Sequence, residues 1–199
     1  MTFKAALYDW TATTLRTLDH HGVRLRYPYR DRIMLENSIL PAIARDESIQ
    51  RVLMVGCGWY THHYPALLGE AEVTTIDLDA AKRSFGGDSH IVGNLTSLSE
   101  HIAHEALDAV LCNGVLGWGL NEQADVERAF GACVDCLRPG GLLLLGWNDQ
   151  PPYNRVGPRD IPAINRLEPV SVPGLDAHRV VALPRNQHCF QAFRKPLSD

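Results

Sequence analysis

Residues 51–58, RVLMVGCG, constrain this chain more than any other stretch. Val52, Leu53, Met54 and Val55 are a continuous apolar run, which predicts a strand buried on both faces, and Gly56, Cys57 and Gly58 follow without a spacer. A strand that runs into such a turn lets the backbone take positive φ and lets a ligand approach where a Cβ would stand. The segment WYTHHYPALL after it predicts a helix over Tyr60–Leu68, with its free N–H groups facing a nucleotide-like ligand.

Downstream, strands and helices alternate. EVTTIDLD (72–79) reads as a second strand closing on acid, HIVGNL (90–95) as a third, LDAVLCN (107–113) as a fourth and GLLLLGW (141–147) as a fifth. Helices are expected at 95–106 and from an Asn121 N-cap, where Val126, Phe130, Cys133 and Leu137 recur at helical spacing until LRPGG stops the run. This order implies a parallel sheet covered on both faces, with ligands at the carboxyl ends of its strands. Gly56, Asp77, Asn94, Asn113 and Trp147 all fall there. After a Pro- and Gly-punctuated stretch at 150–175, HRVVALP (178–184) and NQHCFQAFRK (186–195) predict an antiparallel hairpin.

Asp77 lies 19 positions past Gly58, where an acid at the tip of the neighbouring strand can accept from a ribose diol, and Asp79 is expected to cap the next helix. Near the amino terminus, Leu7, Trp10, Thr14 and Leu18 have helical spacing up to Gly22, and a second helix from about Arg30 is interrupted or restarted at Pro41. Arg24, Arg26, Arg30 and Arg32 form either a docking surface for an anionic group or, the more ordinary outcome, a solvated face.

The net charge of −4 argues against a broad basic surface for nucleic acid. The longest apolar run, around Leu142–Leu145, is too short to span a bilayer, and no basic and apolar leader opens the chain, so a cytoplasmic protein without membrane partner is expected. Five scattered cysteines fit a reduced compartment. Cys133 and Cys136, the lone C-x-x-C, are read as core, and no metal is expected. His101, His104 and Glu105 are placed on a surface helix.

Strand and glycine turn, acid on the second strand, LRPGG and the terminal hairpin together resemble the class I S-adenosylmethionine-dependent methyltransferases over roughly residues 45–195. The resemblance implies an α/β fold, a Rossmann-like, mostly parallel sheet of seven strands with helices on both faces and the antiparallel hairpin at its end. It further implies one domain, with a helical N-terminal cap at 1–50 and the α/β core at 51–199. Its cofactor would be S-adenosylmethionine. Gly56, Cys57 and Gly58 match the glycine motif beside the methionine and ribose, Asp77 the ribose acid, Leu78 the apolar residue beside the adenine, Asn94 and Leu95 the place that holds the adenine amino group, and Asn113 the end of the fourth strand near the methionine. Tyr60 stands where a third glycine is usual, and Met54 where many members carry an acid.

Methyl transfer from a sulfonium asks the protein chiefly to bind, orient and exclude water, so no obligatory base is expected. Trp118 is a candidate wall of the acceptor pocket, Trp147 either pocket or core, Asn148 and Asp149 substrate-side residues after the fifth strand, and His21 with His20 candidate bases if the first helix folds over as a lid. His62 and His63 open the segment after the turn and are weaker candidates. The expected acceptor is an O or N of a small molecule, because the cap is short; the oligomeric state is not legible. Two rival readings stand beside this one. A non-methylating relative would use the bound cofactor structurally, and a nicotinamide-dependent oxidoreductase would use Gly56, Gly58 and Asp77, although Thr61 stands at the last glycine of G-x-G-x-x-G.

Overall fold

Side chains of β1 (Arg51–Val55) alternate between two cores, and the whole molecule is layered around that alternation. The computed structural model describes residues 29–151 and 154–197 together with Thr14, Thr17 and Leu18. The first predicted helix, with His20 and His21, therefore lies outside the described residues, except that Thr14, Thr17 and Leu18 are helical.

The other strands are β2 (Glu72–Asp77), β3 (Ser89–Val92), β4 (Leu107–Asn113), β5 (Leu137–Asn148), β6 (Glu168–Val170), β7 (Arg179–Leu183) and β8 (His188–Arg194). Their spatial order is β3-β2-β1-β4-β5-β8-β6, and β7 also pairs with β8. The first five are parallel and β8 runs antiparallel to β5. The described residues thus hold eight strands in seven positions, since β6 pairs Arg194–Ala192 and β7 pairs Gln191–His188 along one edge of β8. The expected mostly parallel sheet and closing hairpin are present, with that outer edge split in two.

Leu53, Val55, Val110, Cys112, Leu143 and Leu145 pack on one face with α3 (Gln123–Cys136). Val52, Met54, Ala109, Leu111, Leu142 and Leu144 pack on the other with α1 (Arg30–Met34) and α2 (Leu40–Ala44), which a π turn over Leu35–Ile39 joins. Each buried Leu or Val contributes about 1.5–3 kcal/mol, so the two-sided apolar run stabilises the centre of the sheet. Cys133 and Cys136 are core residues of α3. Pro41 does not break the second helical stretch: the π turn, with Leu40 N–H bonded to Leu35 O, has already shifted the hydrogen-bond register where the proline enters.

Two expected helices are replaced by shorter turns. Thr61 N–H bonds Gly58 O, Tyr64 N–H bonds Thr61 O and Leu67 N–H bonds Tyr64 O, so the chain after the glycine turn descends in three-residue turns that end in a 3₁₀ helix at Pro65–Leu68. The 95–106 helix is a 3₁₀ segment over Leu95–Glu100 only, and α3 begins at Gln123 with Glu122, not Asn121, at its N-cap. LRPGG ends α3 and is already the first part of β5, with an irregularity where Gly140 takes φ +75°.

At the opposite end of the sheet from the glycine turn, Asp108 ties three segments together. Its Oδ2 accepts from the N–H groups of Gln50 (3.0 Å) and Arg51 (2.7 Å), and its Oδ1 accepts from Arg138 Nε at 2.6 Å. Burial alone would raise this carboxyl, but the donors outweigh it and hold it below the usual aspartate range. A carboxyl depressed in the folded state adds stability that is complete above its unfolded pKa of about 3.9 and is lost as pH falls through the folded value. Asp108→Asn is expected to cost about 1.5–3 kcal/mol at pH 7, with the difference from wild type shrinking below pH 4 in urea unfolding titrations. An equal cost at pH 7 and pH 3 would disprove the ionic account.

Candidate active site

The glycine turn opens a cavity of about 350 Å³ at the carboxyl ends of β1, β2 and β4, within the range of about 300–1,000 Å³ usual for small-ligand pockets. Gly56 sits at φ +82°, and a Cβ built there would meet Val115 Cγ2 at 2.8 Å, so glycine is required twice over. The turn's N–H groups are spoken for. Gly56 N–H bonds Ile76 O (2.8 Å), Cys57 N–H bonds Asp77 Oδ2 (2.8 Å) and Gly58 N–H bonds Thr61 Oγ1 (3.1 Å). With a short 3₁₀ segment in place of the expected helix, the turn offers shape and not a set of free N–H groups. Burial, with the nearby Asp77 charge, pushes the Cys57 thiol up, so it is neutral.

Asp77, 9% exposed, lines the cavity from the end of β2. Its Oδ1 accepts from Asp79 N–H at 2.9 Å, and Lys82 Nζ reaches Oδ2 at 3.3 Å. Asp79 caps the 3₁₀ segment Ala80–Phe85 through Ala81 N–H, as the sequence predicts. Asn94 is likewise a cap: its Oδ1 takes Thr96 N–H at 3.0 Å, which leaves the amide NH₂ as its other polar end. Leu78 and Trp118, 65% and 60% exposed, sit among the lining residues as large apolar surfaces open to solvent.

The opposite wall brings a residue that the sequence signals only in part. Arg32 of α1 is buried, and its guanidinium stands 4.5 Å over the Tyr60 ring. Among the described residues, Nη1 and Nη2 make only long bonds, to Tyr64 Oη (3.5 Å) and Tyr60 Oη (3.4 Å), and Nε has no hydrogen-bond acceptor, with Asp31 Oδ2 3.7 Å away. Burial opposes its charge, but Tyr60, Tyr64 and Asp31 more than offset this, so Arg32 stays cationic. Burial also pushes the Tyr64 phenol up. Of the arginine cluster, Arg30 is exposed and Arg32 is part of the cavity; Arg24 and Arg26 lie outside the described residues. Tyr60, in place of a third glycine, is the platform for that guanidinium, and its ring edge lies 3.1 Å from where a Gly58 Cβ would be.

The cavity joins Arg32, Gly56, Cys57, Tyr60, Asp77, Leu78, Asn94, Leu95, Asn113 and Trp118. Gly58, in the same turn, and Asn148 are not among its lining residues. Asn148 is buried behind it and hydrogen-bonds His188, a residue unremarked in the sequence. Trp147 is core, its Nε1–H donated to Gln191 Oε1 at 2.8 Å, and Asp149 pairs with Arg179 at the surface. His62 Nδ1 bonds Trp59 O, His63 Nε2 lies 3.2 Å from Glu36 Oε2, and His101 and His104 are exposed. Met54, in the place of an acid, packs in the second core.

Residues 53–145 match the family described as a methyltransferase domain. That match covers 93 of the 199 residues and agrees with the resemblance to the class I S-adenosylmethionine-dependent methyltransferases that the motifs carry. The fold is shared with the N-methyltransferase NodS from Bradyrhizobium japonicum WM9 in complex with S-adenosyl-L-homocysteine, at 18% identity and a TM-score of 0.64 over 85% of this chain and 89% of that one. It is shared too with the Burkholderia thailandensis 1,6-didemethyltoxoflavin N1-methyltransferase (16%, TM-score 0.58, 98% and 92% covered) and with the [4+2]-cyclase SpnF (13%, TM-score 0.65, 97% and 95% covered). No curated protein matches the chain in sequence. The nicotinamide reading loses its physical basis here, because a pyrophosphate needs the turn N–H groups that Ile76, Asp77 and Thr61 occupy. Among the described residues, no helix is long and apolar enough to cross a membrane.

Proposed function

We propose that this methyltransferase moves the methyl group of S-adenosylmethionine to an O or N of a small-molecule acceptor. The observation that carries the reading is that one cavity has an anionic acceptor, Asp77, in one wall and a buried cation with unused donors, Arg32, in another. S-adenosylmethionine asks for both groups, an acceptor at its ribose diol and a cation at its methionine carboxylate. Asp77 would accept from the ribose diol, and Lys82, which is partly exposed, would leave Oδ2 as it does so. Arg32 would take the carboxylate of the methionine end, since a guanidinium fork matches a carboxylate better than it matches two phenols. Leu78 offers an apolar face to the adenine, and the Asn94 amide can reach a ring nitrogen.

When bound, the cofactor supplies an electrophilic methyl on a sulfonium, and the leaving thioether is neutral. The chain's own residues position it and exclude water, and alignment of that kind can be worth about 7–11 kcal/mol of the barrier. Trp118, at the open end of the cavity, would cover the acceptor. His21 remains the candidate base for an acceptor that must lose a proton.

Purified protein incubated with methyl-labelled S-adenosylmethionine, against a small-metabolite extract and separately against total RNA, should label a small molecule and leave RNA unlabelled. Label in RNA would move the acceptor to nucleic acid. Tight cofactor binding with no label anywhere would favour the second reading, a non-methylating relative, for which the shared fold of the [4+2]-cyclase SpnF is the supporting observation.

A further inference from the structure

The end of the cavity farthest along from β1 is built where two elements meet. The 3₁₀ segment Leu95–Glu100, which leaves the tip of β3, packs against α3, and the first turn of α3 holds Asp125. Asn94, Leu95, Thr96, Leu120 and Asp125 all line the cavity. Leu95 and Leu120 are buried and apolar, while Asn94 and Asp125 are exposed, so the two polar groups are open to a ligand and the leucines give it a floor.

The polarity of this end is fixed by hydrogen bonds already made. Thr96 N–H donates to the Asn94 side chain, and only a carboxamide oxygen can accept it, so the orientation of the amide is decided and its NH₂ is the end left for a ligand. A donor stands where the resemblance expects the adenine amino group, which is itself a donor, to be held. Across the cavity the reverse holds. Asp125 Oδ1 takes Arg128 Nη2, which steadies the side chain, and Oδ2 takes no hydrogen bond among the described residues. The other two carboxylates of the cavity are committed, Asp77 to the turn and Asp79 to its cap on Ala81 N–H.

A donor and an acceptor side by side over an apolar floor match one edge of adenine, whose ring N1 accepts and whose 6-amino group donates. We propose that Asp125 reads the 6-amino group of the cofactor's purine while Asn94 donates to N1, so the acid that selects adenine stands on α3 and not at the end of β3. This rests on the cofactor placement proposed above. A 6-oxo purine reverses both positions, since its N1 carries a hydrogen and its C6 an oxygen. It would set N–H against the Asn94 NH₂ and oxygen against the Asp125 carboxylate.

Calorimetric titration with S-adenosyl-L-homocysteine and with S-inosyl-L-homocysteine, which differs only in that 6-oxo purine, tests this. Wild type should bind the adenosyl ligand about 30-fold more tightly, the contacts being too exposed for a larger ratio. Asp125→Asn, which can turn an NH₂ toward O6, should weaken the adenosyl ligand about ten-fold and cut the preference to within about three-fold. The ratio of the two affinities is the readout, because a loss of helix stability would lower both alike, and the wild-type ratio needs no variant to fold. Wild type binding the two ligands within three-fold, or an unchanged ratio in Asp125→Asn, would overturn the proposal while leaving the cofactor placement intact. If wild type binds neither ligand, the placement itself fails and takes this inference with it.

Discussion

Asp77→Ala is expected to lower affinity for S-adenosylmethionine and S-adenosylhomocysteine by about 100-fold or more. Two effects act together. The ribose loses a charged acceptor, and hydrogen bonds to charged groups are worth about 1.5–3 kcal/mol each, so a diol held through both hydroxyls loses about 3–6 kcal/mol. The turn also loses its anchor. Cys57 N–H, bonded to Asp77 Oδ2 at 2.8 Å in a buried setting, and Asp79 N–H at 2.9 Å would be left without acceptors, and Lys82 without its counter-ion. Asp77→Asn separates the two effects, because a carboxamide oxygen can still take Cys57 N–H while only one acceptor oxygen remains; about a ten-fold loss is expected there. Lys82→Met should cost nothing in affinity and, by freeing Oδ2, improve it a few-fold. Calorimetry with S-adenosylhomocysteine reads all three, with circular dichroism confirming that each variant is folded. Wild-type affinity in Asp77→Ala would mean that the ribose is held elsewhere.

Much of this architecture is legible because buried parallel strands cannot be disguised. VLMV, AVLC and LLLL are continuous apolar runs that only a sheet covered on both faces accommodates. The stretch after the glycine turn is different. It carries an N–H pattern decided by one side chain, since Thr61 Oγ1 caps Gly58 N–H and draws the chain into three-residue turns, and periodicity is blind to that choice. β6 is three residues with a proline in the middle, too short for any alternation to register. Arg32 was readable in principle. It shares helical spacing with Leu35, Glu36 and Ile39, all buried, so a charged residue on the apolar face of its own helix is the signal that distinguishes it from exposed Arg30. His188 had a weaker cue, a polar residue opening a strand of otherwise buried side chains, and its meaning comes only from Asn113 and Asn148 on neighbouring strands.

Arg32→Met, which keeps the bulk of the side chain and removes the guanidinium, is expected to weaken S-adenosylmethionine and S-adenosylhomocysteine by about 10- to 100-fold and to leave 5′-methylthioadenosine within about three-fold of wild type. The split follows from the ligand, because only the first two carry a carboxylate, and one charge-assisted contact in a water-poor wall is worth about 1.5–3 kcal/mol. Arg32→Lys should recover less than half of the lost free energy, since an ammonium lacks the planar fork and cannot keep the stacking on Tyr60. Removing the cation also leaves Asp31 as a buried anion whose partner stood 3.7 Å away, so Arg32→Met alone should melt at a lower temperature. Adding Asp31→Asn should restore the melting temperature without restoring affinity, which separates folding from recognition. If instead Arg32→Met weakened all three ligands equally, the guanidinium would be shaping the wall through Tyr60 and Tyr64, and the methionine end would have to be anchored by some other part of the cavity.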